Sequence, residues 1–576
     1  MKSRNAALRL IKGKERLTVG TEESKELRLY DKKRHGLWSI FFSRTGVILL
    51  LLIATIVVYF WFLFRNFEWQ PAFTVLAVIL HVGVVIAMIS SDMDATAKIT
   101  WMLIISVFPI FGAFFYIYTR VDLGSYFLRK NFEKLRKRNH EMLHYNKEAL
   151  RDLEEEAPEV AGLCRYVAST GNYPVYNGNK VDFYELGEYK WAALLEDLKK
   201  AEKFIFLEYF IIEEGKMWGQ MLKILAEKAS QGVLVRVIYD GTNEFGTLSG
   251  DYRDRLKKVG IDAHIFSPLT PFVSTVYNNR DHRKILVIDG KVAYNGGVNL
   301  ADEYINEVVK FGHWKDTAVR IEGPAVDSFT AMFLEMWVLE FEPEKTSQWF
   351  VNHRLTAEGE NSEDGDPIIG AESDEKADSV AETDKRTDAC PESLAGYVMP
   401  YADNPLDKDK VGETVYIDFL YRAKEYVHIM TPYLILDDVM ITAISSAARK
   451  GIDVELIVPG IPDKKMVYTL TKSYFRRLIE AGVKIYTYTP GFVHAKIFVS
   501  DDCRATVGTI NLDYRSLYHH FECGTFLYNV PCISNIEKDF QATREKCHLV
   551  TMEDLKEEGW WTNFVGALLR TIAPLL

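Results

Sequence analysis

Asp281-His282-Arg283-Lys284-Ile285-Leu286-Val287-Ile288-Asp289 has a counterpart late in the chain, Val493-His494-Ala495-Lys496-Ile497-Phe498-Val499-Ser500-Asp501. Both stretches read His-x-Lys-x4-Asp, and after the same interval of six residues both continue as Gly-x-x-Asn, at 296–299 and at 508–511. One such pattern could arise by chance. Two copies, each in an apolar run and each with the same continuation, indicate an internal repeat.

The histidine and the lysine of each copy are two residues apart, so on an extended strand they point to the same face. His282 is thereby paired with Lys284, and His494 with Lys496. Lysine is rarely buried unless it is paired or functional. A cation beside an imidazole in an apolar strand therefore indicates a chemical site.

Each apolar strand ends in a predicted hairpin turn, at Asp289-Gly290 and at Asp501-Asp502. The return strand is expected to bring Asn299 or Asn511 back beside the histidine. The strand separates the motif aspartate from the histidine by about 20 Å. The aspartate is therefore expected to fix the turn rather than to orient the imidazole ring.

Each imidazole ring needs a hydrogen-bond partner that holds it in one orientation. Asp316, in His313-Trp314-Lys315-Asp316, is the candidate in the first half, and Glu522 is the candidate in the second half. Each carboxylate is expected to serve the histidine of its own half.

Two histidines, two lysines and two asparagines, with no serine or cysteine nucleophile in either motif, suit chemistry at a phosphodiester. One imidazole would attack phosphorus to form a phosphohistidine, while the other would protonate the leaving alcohol. The lysines and asparagines would hold the non-bridging oxygens and neutralise their charge, a task that a metal ion performs in other enzymes. The sequence therefore predicts that neither a metal ion nor another cofactor is required.

The elements before each motif also repeat. The first half has predicted strands at 203–210 and 232–238, and the second half has them at 425–433 and 451–457, with helices between. This order predicts α/β units, each with a central, largely parallel sheet. Two such units that face each other would bring both His-Lys pairs into one cleft.

The chain resembles the phospholipase D superfamily, whose members carry two HKD motifs, and within it the bacterial cardiolipin synthases. The resemblance extends from the apolar segment near residue 45 to the C-terminus. It is carried by the two motifs and by residues 206–210, 279–284, 295–304, 314–317 and 431–433. Two departures are Gly297 and Thr509, which stand where the superfamily often has serine.

The resemblance implies two phospholipase D-like α/β units, packed face to face as an internal repeat and preceded by an N-terminal transmembrane helical region. It implies transfer of a phosphatidyl group from one phosphatidylglycerol to another, which yields cardiolipin and glycerol. The implied catalytic residues are His282, Lys284, Asp289, His494, Lys496 and Asp501, and the implied phosphate-binding residues are Asn299 and Asn511.

By the same resemblance His282 is the nucleophile and His494 the acid and base, although the two roles could be exchanged. Water as the acceptor would make the enzyme a phospholipase D, and another alcohol would make it a transferase like phosphatidylserine synthase. A nuclease is disfavoured by the net charge of −11 and by the apolar runs near the N-terminus. A non-catalytic membrane scaffold is disfavoured because both motifs are intact.

Three apolar runs near the N-terminus, at about 45–64, 71–89 and 99–118, each approach the length that crosses a bilayer. The expected location is the bacterial cell membrane, as a multi-pass protein with a cytoplasmic catalytic region. Both flanks of the runs are basic, so the positive-inside rule places both in the cytoplasm, whereas three crossings would place them on opposite sides. Either one run does not cross or the rule is violated.

The sequence divides into six predicted segments. These are a basic tail (1–44), the transmembrane helices (45–119), a basic linker helix (120–170), a first phospholipase D-like domain (171–345), an acidic disordered insert (346–395) and a second phospholipase D-like domain (396–576). The apolar C-terminus is expected to pack on the second domain, with the lipid interface as the alternative. The six cysteines show no metal-binding spacing, and the adjacent pair His519-His520 points to opposite strand faces. The expected partners are phosphatidylglycerol and cardiolipin but no nucleic acid, and an oligomer is left open.

Overall fold

The computed structural model describes residues 26–29, 70–91, 93–108, 112, 113, 115–117, 130, 143, 147–267, 279–339, 394–557 and 559–575. The strands in these ranges are β1 (Lys180–Tyr184), β2 (Phe204–Tyr209), β3 (Leu234–Asp240), β4 (Asp262–Phe266), β5 (Arg280–Asp281), β6 (Lys284–Ile288), β7 (Val292–Gly296), β8 (His313–Lys315), β9 (Ala318–Glu322), β10 (Tyr397–Asp403), β11 (Tyr426–Met430), β12 (Asp453–Pro459), β13 (Lys484–Tyr488), β14 (Gly491–Val493), β15 (Ile497–Ser500), β16 (Arg504–Gly508), β17 (His520–Tyr528) and β18 (Cys547–Leu549).

The helices surround these strands. They are α1 (Gln70–Ile89), α2 (Ala95–Val107), α3 (Lys147–Glu156), α4 (Pro158–Thr170), α5 (Gly187–Lys200), α6 (Lys216–Ser230), α7 (Asn243–Gly246), α8 (Tyr252–Lys258), α9 (Val326–Leu339), α10 (Val411–Arg422), α11 (Asp438–Arg449), α12 (Lys465–Ile479), α13 (Tyr514–Tyr518), α14 (Ile533–Arg544), α15 (Met552–Glu557) and α16 (Trp560–Ile572). Short 3₁₀ helices cover Asp302–Ile305 and Ala573–Leu575.

The internal repeat is confirmed by the order of the strands. The first sheet runs β1-β9-β7-β6-β2-β3-β4, and the second runs β10-β17-β16-β15-β11-β12-β13-β18. The first seven strands of the second sheet follow the same order of equivalent elements, and β18 is added at its edge.

The prediction of a largely parallel sheet is wrong. In the first sheet only the pairs β2–β3 and β3–β4 are parallel, and the other four neighbouring pairs are antiparallel. The physical reason is the motif itself, because its strand returns through a tight hairpin, and a hairpin can join only antiparallel strands.

The two halves exchange short strands. Strand β5, just before the first motif histidine, pairs in parallel with β17 of the second half. Strand β14, just before the second motif histidine, pairs in parallel with β8 of the first half. A single hydrophobic core also contains side chains from both sheets, so the halves are joined by packing as well as by hydrogen bonds.

The predicted basic linker helix, 120–170, is described mainly from residue 147 onward. Its described part from residue 147 onward forms α3, which has five acidic and two basic residues, and then α4, which begins at Pro158. Proline lacks an N–H group and its fixed φ suits a first helical turn, which explains why a new helix begins there. Leu153, Val160 and Val167 are buried in the core shared with the sheets, so these helices are part of the catalytic region.

The predicted N-terminal segments are described only in part. The run 45–64 lies outside the described residues, helix α1 covers the run 71–89, and helix α2 ends at Val107, two residues before Pro109. No helix within the described ranges is both long enough and apolar enough to cross a membrane. Apart from residues 394 and 395, the acidic insert 346–395 also lies outside the described residues.

The motif aspartates fix the hairpin turns, as the strand length predicted. Asp289 has a φ of 53° and its carboxylate accepts the backbone N–H groups of Glu202, Lys203 and Phe204 at 2.7–2.8 Å. Asp501 has the same φ and accepts three N–H groups at the start of β11, each at 3.0 Å. The structure therefore places both aspartates at the far end of the motif strand from the histidine, and their catalytic part, which the resemblance implies, stays a prediction.

We expect Asp289→Ala to lower the thermal unfolding midpoint by at least about 5 °C, because three N–H groups lose their acceptor at a partly buried site. Asp289→Asn is the matched control, since it keeps one acceptor oxygen, and its midpoint should lie between those of the wild type and the alanine variant. Differential scanning fluorimetry measures all three. An unchanged midpoint for Asp289→Ala would contradict this role.

Candidate active site

Both motif histidines lie where the chain of one half meets a strand of the other half. The backbone N–H of His282 donates to the carbonyl of Phe521 at 2.9 Å, and that of His494 donates to the carbonyl of Lys315 at 2.7 Å. Both side chains are buried. The repeat thus creates two equivalent positions, each completed by the opposite half.

The carboxylates Asp316 and Glu522 contact the histidines, but in a crossed arrangement. His282 Nδ1 lies 2.9 Å and 3.0 Å from the two oxygens of Glu522, and His494 Nδ1 lies 2.6 Å from Asp316 Oδ2. The expectation that each carboxylate serves its own half is therefore wrong. The exchanged strands explain this, because β8 leads to Asp316 and β17 carries Glu522, and each runs beside the histidine of the other half.

A carboxylate at Nδ1 leaves the other ring nitrogen, Nε2, to face a reacting group. With the Nδ1 proton donated to the carboxylate, Nε2 presents a lone pair that can act as a nucleophile or base. The same carboxylate stabilises the ring when Nε2 gains a bond or a proton. Each half of the cleft is thus prepared for attack on an electrophile or for proton transfer.

The motif lysines are fully buried next to the histidines. Lys284 and Lys496 each donate to the backbone carbonyl of the preceding motif histidine, and Lys496 Nζ also lies 2.9 Å from His494 Nδ1. Burial lowers the pKa of Lys284 to about 8 and that of Lys496 to about 7. Because an anion beside a buried lysine favours its charged form, this pair of cations suits the binding of a phosphate group.

Charged groups of both motifs lie close enough to act on the same imidazole. Burial lowers the pKa of His282 well below its usual range, and the charges of Lys284, Lys496 and His494 lower it further. Burial and Lys496 lower the pKa of His494 to about 4, against the opposing effect of Asp316. Groups from both halves therefore act on one imidazole, as the sequence predicted for two units that face each other.

Aromatic side chains pack against both imidazole rings. The ring of Phe210 meets that of His282 edge-on at 5.0 Å, and Tyr304, Trp314 and Phe492 lie within 5.9 Å of the ring of His494. Such walls restrict water and fix the planes of both imidazoles.

The positions Gly297 and Thr509 are equivalent in the repeat but act differently. A Cβ at Gly297 would lie 2.1 Å from Asp316 Oδ1, so Asp316 can occupy its place only beside a glycine. The hydroxyl of Thr509 donates to Glu522, which therefore receives one more hydrogen bond than a glycine could give it. This difference makes the two histidine sites chemically unequal.

The asparagines have unequal surroundings as well. Asn299 Oδ1 accepts the N–H of Ile211 at 3.0 Å, and its Nδ2 donates to the Tyr304 hydroxyl at 2.8 Å, so Asn299 also holds the chain after β2. Among the described residues, Asn511 Oδ1 is buried without a hydrogen-bond partner. The predicted contact with a substrate phosphate stays a prediction for both residues.

Sequence reasoning missed His520 and Lys190. His520 Nε2 accepts from Arg515 at 3.3 Å, which directs its Nδ1 towards Glu522 at 3.6 Å. The equivalent residue two positions before Asp316 is Trp314, so only one of the two carboxylates has an imidazole on either side. The pattern around residue 520 drew attention only to a metal pair, and nothing in it indicated a contact with Glu522.

Lys190 is fully buried in α5, where its Nζ lies 3.2 Å from the Tyr209 hydroxyl and 3.3 Å from the Val298 carbonyl. Burial lowers its pKa to about 7, and the charge of Asp316 opposes this effect. A helical pattern could have revealed it, because Lys190 falls on the same face as the buried Leu194.

Two groups among the described residues have a spacing that could hold a metal ion. They are His282 with His520 and Glu522, and His428 with Asp453 and Glu455. Lys284 and Lys496 act electrostatically on His282, and Arg544 and Lys484 bind Glu455, so nearby positive charges oppose a cation in both places.

His520 predicts a measurable pH dependence of stability. Burial lowers its pKa from 6.5 to about 3, so between these values the unfolded chain binds a proton that the folded protein does not. This contribution to stability is complete above pH 6.5 and is lost as the pH falls. We expect His520→Gln to lack this contribution. As the pH is lowered from 7 to 4.5, the stability of the wild type relative to the variant should therefore decrease by up to about 1.4 kcal/mol per pH unit, and its relative thermal midpoint should decrease with it. A constant difference in midpoint over this range would contradict the prediction.

Comparisons with known proteins agree with this geometry. The family model described as cardiolipin synthase, PLD-like domain, matches residues 194–337 and 416–544. An uncharacterized protein of Streptococcus mutans is 48% identical over 500 residues, which cover 86% of this chain and 100% of that protein. The cardiolipin synthase of Halalkalibacterium halodurans is 31% identical over 545 residues, which cover 93% of this chain and 100% of that protein.

Among solved structures, the phosphatidylserine synthase of Haemophilus influenzae aligns with a TM-score of 0.51 and 16% identity, covering 72% of this chain and 98% of that one. This likeness shows the fold alone. The relative from Halalkalibacterium halodurans matches over its whole length, and the family model covers both motif regions. The chain therefore belongs to the cardiolipin synthase family of the phospholipase D superfamily.

Proposed function

We propose that the protein is a cardiolipin synthase, a phosphatidyltransferase that joins two phosphatidylglycerols and releases glycerol. The observation that carries the proposal is the pair of buried histidines, each bonded at Nδ1 to a carboxylate of the opposite half and each accompanied by a buried lysine. This arrangement supplies a nucleophile, an acid and base, and positive charge for one phosphodiester. The family to which the chain belongs indicates phosphatidylglycerol as the substrate.

In the first step, His282 Nε2 attacks the phosphorus of one phosphatidylglycerol. A nitrogen–phosphorus bond forms as the phosphorus–oxygen bond to glycerol breaks, and Glu522 stabilises the ring as it gains positive charge. His494 Nε2 gives its proton to the departing glycerol oxygen. Asp316 and the bound phosphodiester anion both favour the protonated form of His494, and thereby oppose the lowering of its pKa by burial.

In the second step, His494 removes the proton from the terminal hydroxyl of another phosphatidylglycerol. The resulting oxygen attacks the phosphohistidine, a phosphorus–oxygen bond forms, and His282 is released. Lys284 and Lys496 balance the charge on the non-bridging oxygens in both steps, so the reaction requires no metal ion. Transfer rather than hydrolysis requires that water be kept from the intermediate, and the aromatic walls of the cleft support this.

The surroundings of His494 support His282 as the nucleophile. Asp316 Oδ2 lies 2.6 Å from His494 Nδ1, and the charge of Asp316 raises the pKa of that ring against the effect of burial. A carboxylate that favours the protonated imidazole suits a proton carrier. We therefore assign proton transfer to His494, which leaves His282 for attack on phosphorus.

Product analysis by mass spectrometry tests the function. Purified protein is incubated with phosphatidylglycerol alone, without divalent metal, beside His282→Ala and His494→Ala. We expect cardiolipin and glycerol from the wild type, and a loss of at least about 10³-fold in both variants, because each histidine makes or breaks a bond. Phosphatidic acid as the main product would mean that water is the acceptor. Unchanged product from His282→Ala would reject enzymatic use of the site.

The same variants separate the two histidine roles. A phosphatidyl ester of p-nitrophenol needs no proton on its leaving group, so a variant that lacks only the acid should still release one equivalent of p-nitrophenol per enzyme. We expect this burst from His494→Ala and not from His282→Ala. The reverse result would exchange the roles.

We also propose that the N-terminal apolar runs hold the enzyme at the bacterial membrane, with an even number of crossings. Residues 26–29 precede the runs, yet they contact the catalytic region that follows. Leu27 N–H donates to the Gly219 carbonyl at 2.9 Å, and Arg255 donates to the Leu29 carbonyl at 2.7 Å. Two segments in contact lie on the same side of a membrane. An even number of crossings also satisfies the positive-inside rule, which places both basic flanks in the cytoplasm.

Epitope tags at both termini of the full chain test this topology in sealed vesicles treated with protease. We expect both tags to be digested in inverted vesicles and both to be protected in right-side-out vesicles. Opposite accessibility of the two tags would reject the even number. Digestion of both tags in right-side-out vesicles would instead show that the catalytic region lies on the outer side of the membrane.

A further inference from the structure

The C-terminal helix α16 presents an apolar face to solvent. Trp560 is 75% exposed, Trp561 60%, Phe564 54% and Leu568 56%. The positions 560, 564 and 568 are four residues apart and therefore form one stripe along the helix. The rings of Trp561 and Phe564 stack at 5.6 Å, so the exposed aromatic surface is continuous.

The opposite face of α16 is firmly attached to the second half. Gly566 and Leu569 are buried, and a Cβ at Gly566 would lie 3.0 Å from the Cβ of Ser473, which shows how closely α16 approaches α12. The expected packing on the second domain is thus present on this side. The aromatic stripe has no partner within the described residues. Packing on the second domain therefore accounts for the apolar residues of the buried face and not for those of the exposed face.

Helix α2 continues the exposed apolar surface. Ile99, Leu103 and Val107 lie four residues apart on one face and are 48% to 59% exposed, while Trp101 and Ile105 on the other side are buried. The Thr100 hydroxyl donates to the carbonyl of Thr571 at the end of α16. The two helices are therefore joined to each other, although they come from opposite ends of the chain.

The length of α2 does not suit a membrane crossing. Its 13 residues extend for about 20 Å, whereas the hydrocarbon core is about 30 Å thick. If α2 does not cross, the runs 45–64 and 71–89 cross as a pair or not at all, which agrees with the even number proposed above.

The charges of both helices suit an anionic lipid surface. Lys98 is the only charged residue of α2, Arg570 is the only one of α16, and neither helix has an acidic residue. Tryptophan and phenylalanine on an amphipathic helix favour the boundary between headgroups and acyl chains. A soluble protein partner would not explain why α1, which precedes α2, also exposes Val75, Ile79, Val82 and Ile86.

The surface formed by α2 and α16 is connected to the catalytic cleft. Thr96 of α2 lies close to the side chain of Tyr514, three residues after Asn511. The backbone of Pro574, just after α16, lies close to the side chain of His519, which directly precedes the strand that carries Glu522. Lipid that contacts this surface would therefore meet the protein next to the second motif.

We propose that helices α2 and α16 form an in-plane membrane interface, in which Ile99, Leu103 and Val107 together with Trp560, Trp561, Phe564 and Leu568 enter the outer part of an anionic bilayer. Residues 99–107 of the third apolar run then lie along the membrane instead of crossing it. The surface holds the cleft at the level of the headgroups, where a phosphodiester substrate can enter without leaving the bilayer.

Photocrosslinking tests the interface without any need for turnover. The full chain is reconstituted in vesicles that contain phosphatidylglycerol with a diazirine on its acyl chain, and the labelled residues are mapped by mass spectrometry. We expect label at residues 99–107 and 560–568, at least about fivefold above that on Tyr189 and Tyr421. These two side chains are exposed by 53% and 50% and control for exposure alone.

Two outcomes would overturn the interface. Label on residues 560–568 no higher than on Tyr421 would show that the stripe does not enter lipid. Crosslinks from residues 560–568 to a second copy of the chain, in place of lipid, would assign the stripe to an oligomer interface.

A variant tests the consequence for turnover, and this arm depends on the proposed transfer reaction. Trp560→Ser combined with Trp561→Ser and Phe564→Ser should lower the rate on phosphatidylglycerol vesicles at least about fivefold, because the cleft loses its position at the headgroups. The rate on short-chain phosphatidylglycerol dissolved below its micelle concentration should stay within about twofold of the wild type, since no surface is involved.

Tyr421→Ser is the matched control and should leave both rates unchanged. An equal loss of rate on both substrates would overturn a role in surface binding. A wild type that makes no cardiolipin but is labelled at 560–568 would reject the proposed function and leave the interface intact.

Discussion

The hydrogen bond between each motif histidine and a carboxylate of the opposite half is the constraint on which the site depends. An imidazole can act as a nucleophile or as a base only when one nitrogen is held and the other is free. Here the holding group for His282 comes from β17 and the one for His494 follows β8. Neither half alone can therefore form a complete histidine site. The duplication of the unit, the exchange of strands and the shared core all serve this single requirement.

The second constraint is electrostatic. Two lysines, Lys284 and Lys496, are buried beside two neutral histidines, and burial lowers the pKa of each of these four groups. Such a site is costly in the absence of an anion, because buried cations lose their hydration. A phosphodiester compensates that cost and shifts the four groups towards their charged forms. Substrate binding and preparation of the acid are thereby the same event, which suits a reaction without a metal ion.

Features of the site that depend on local periodicity could be predicted from the sequence, whereas contacts between distant residues could not. The strand period of two placed His282 and Lys284 on one face, and strand length alone excluded Asp289 from the histidine ring. The assignment of Glu522 to His494 was wrong because it assumed that neighbours in the repeat are neighbours in space. Lys190 was overlooked although its helical position indicated burial, and His520 gave no signal, since its contact with Glu522 depends on Arg515.

By itself the sequence determined what is local: the two motif strands, their turns, the repeat and the residue types of a phosphodiester site. These follow from periods of two or 3.6 residues and from turn chemistry, which act over a few positions. Only the tertiary structure decided which carboxylate serves which histidine, and that residues 26–29 contact the catalytic region on the far side of the apolar runs. The partners in the crossed pairs are 240 and 178 residues apart, and no local pattern specifies a contact over such a separation. These contacts are fixed by the packing of the two halves, each of which supplies the carboxylate that binds the histidine of the other.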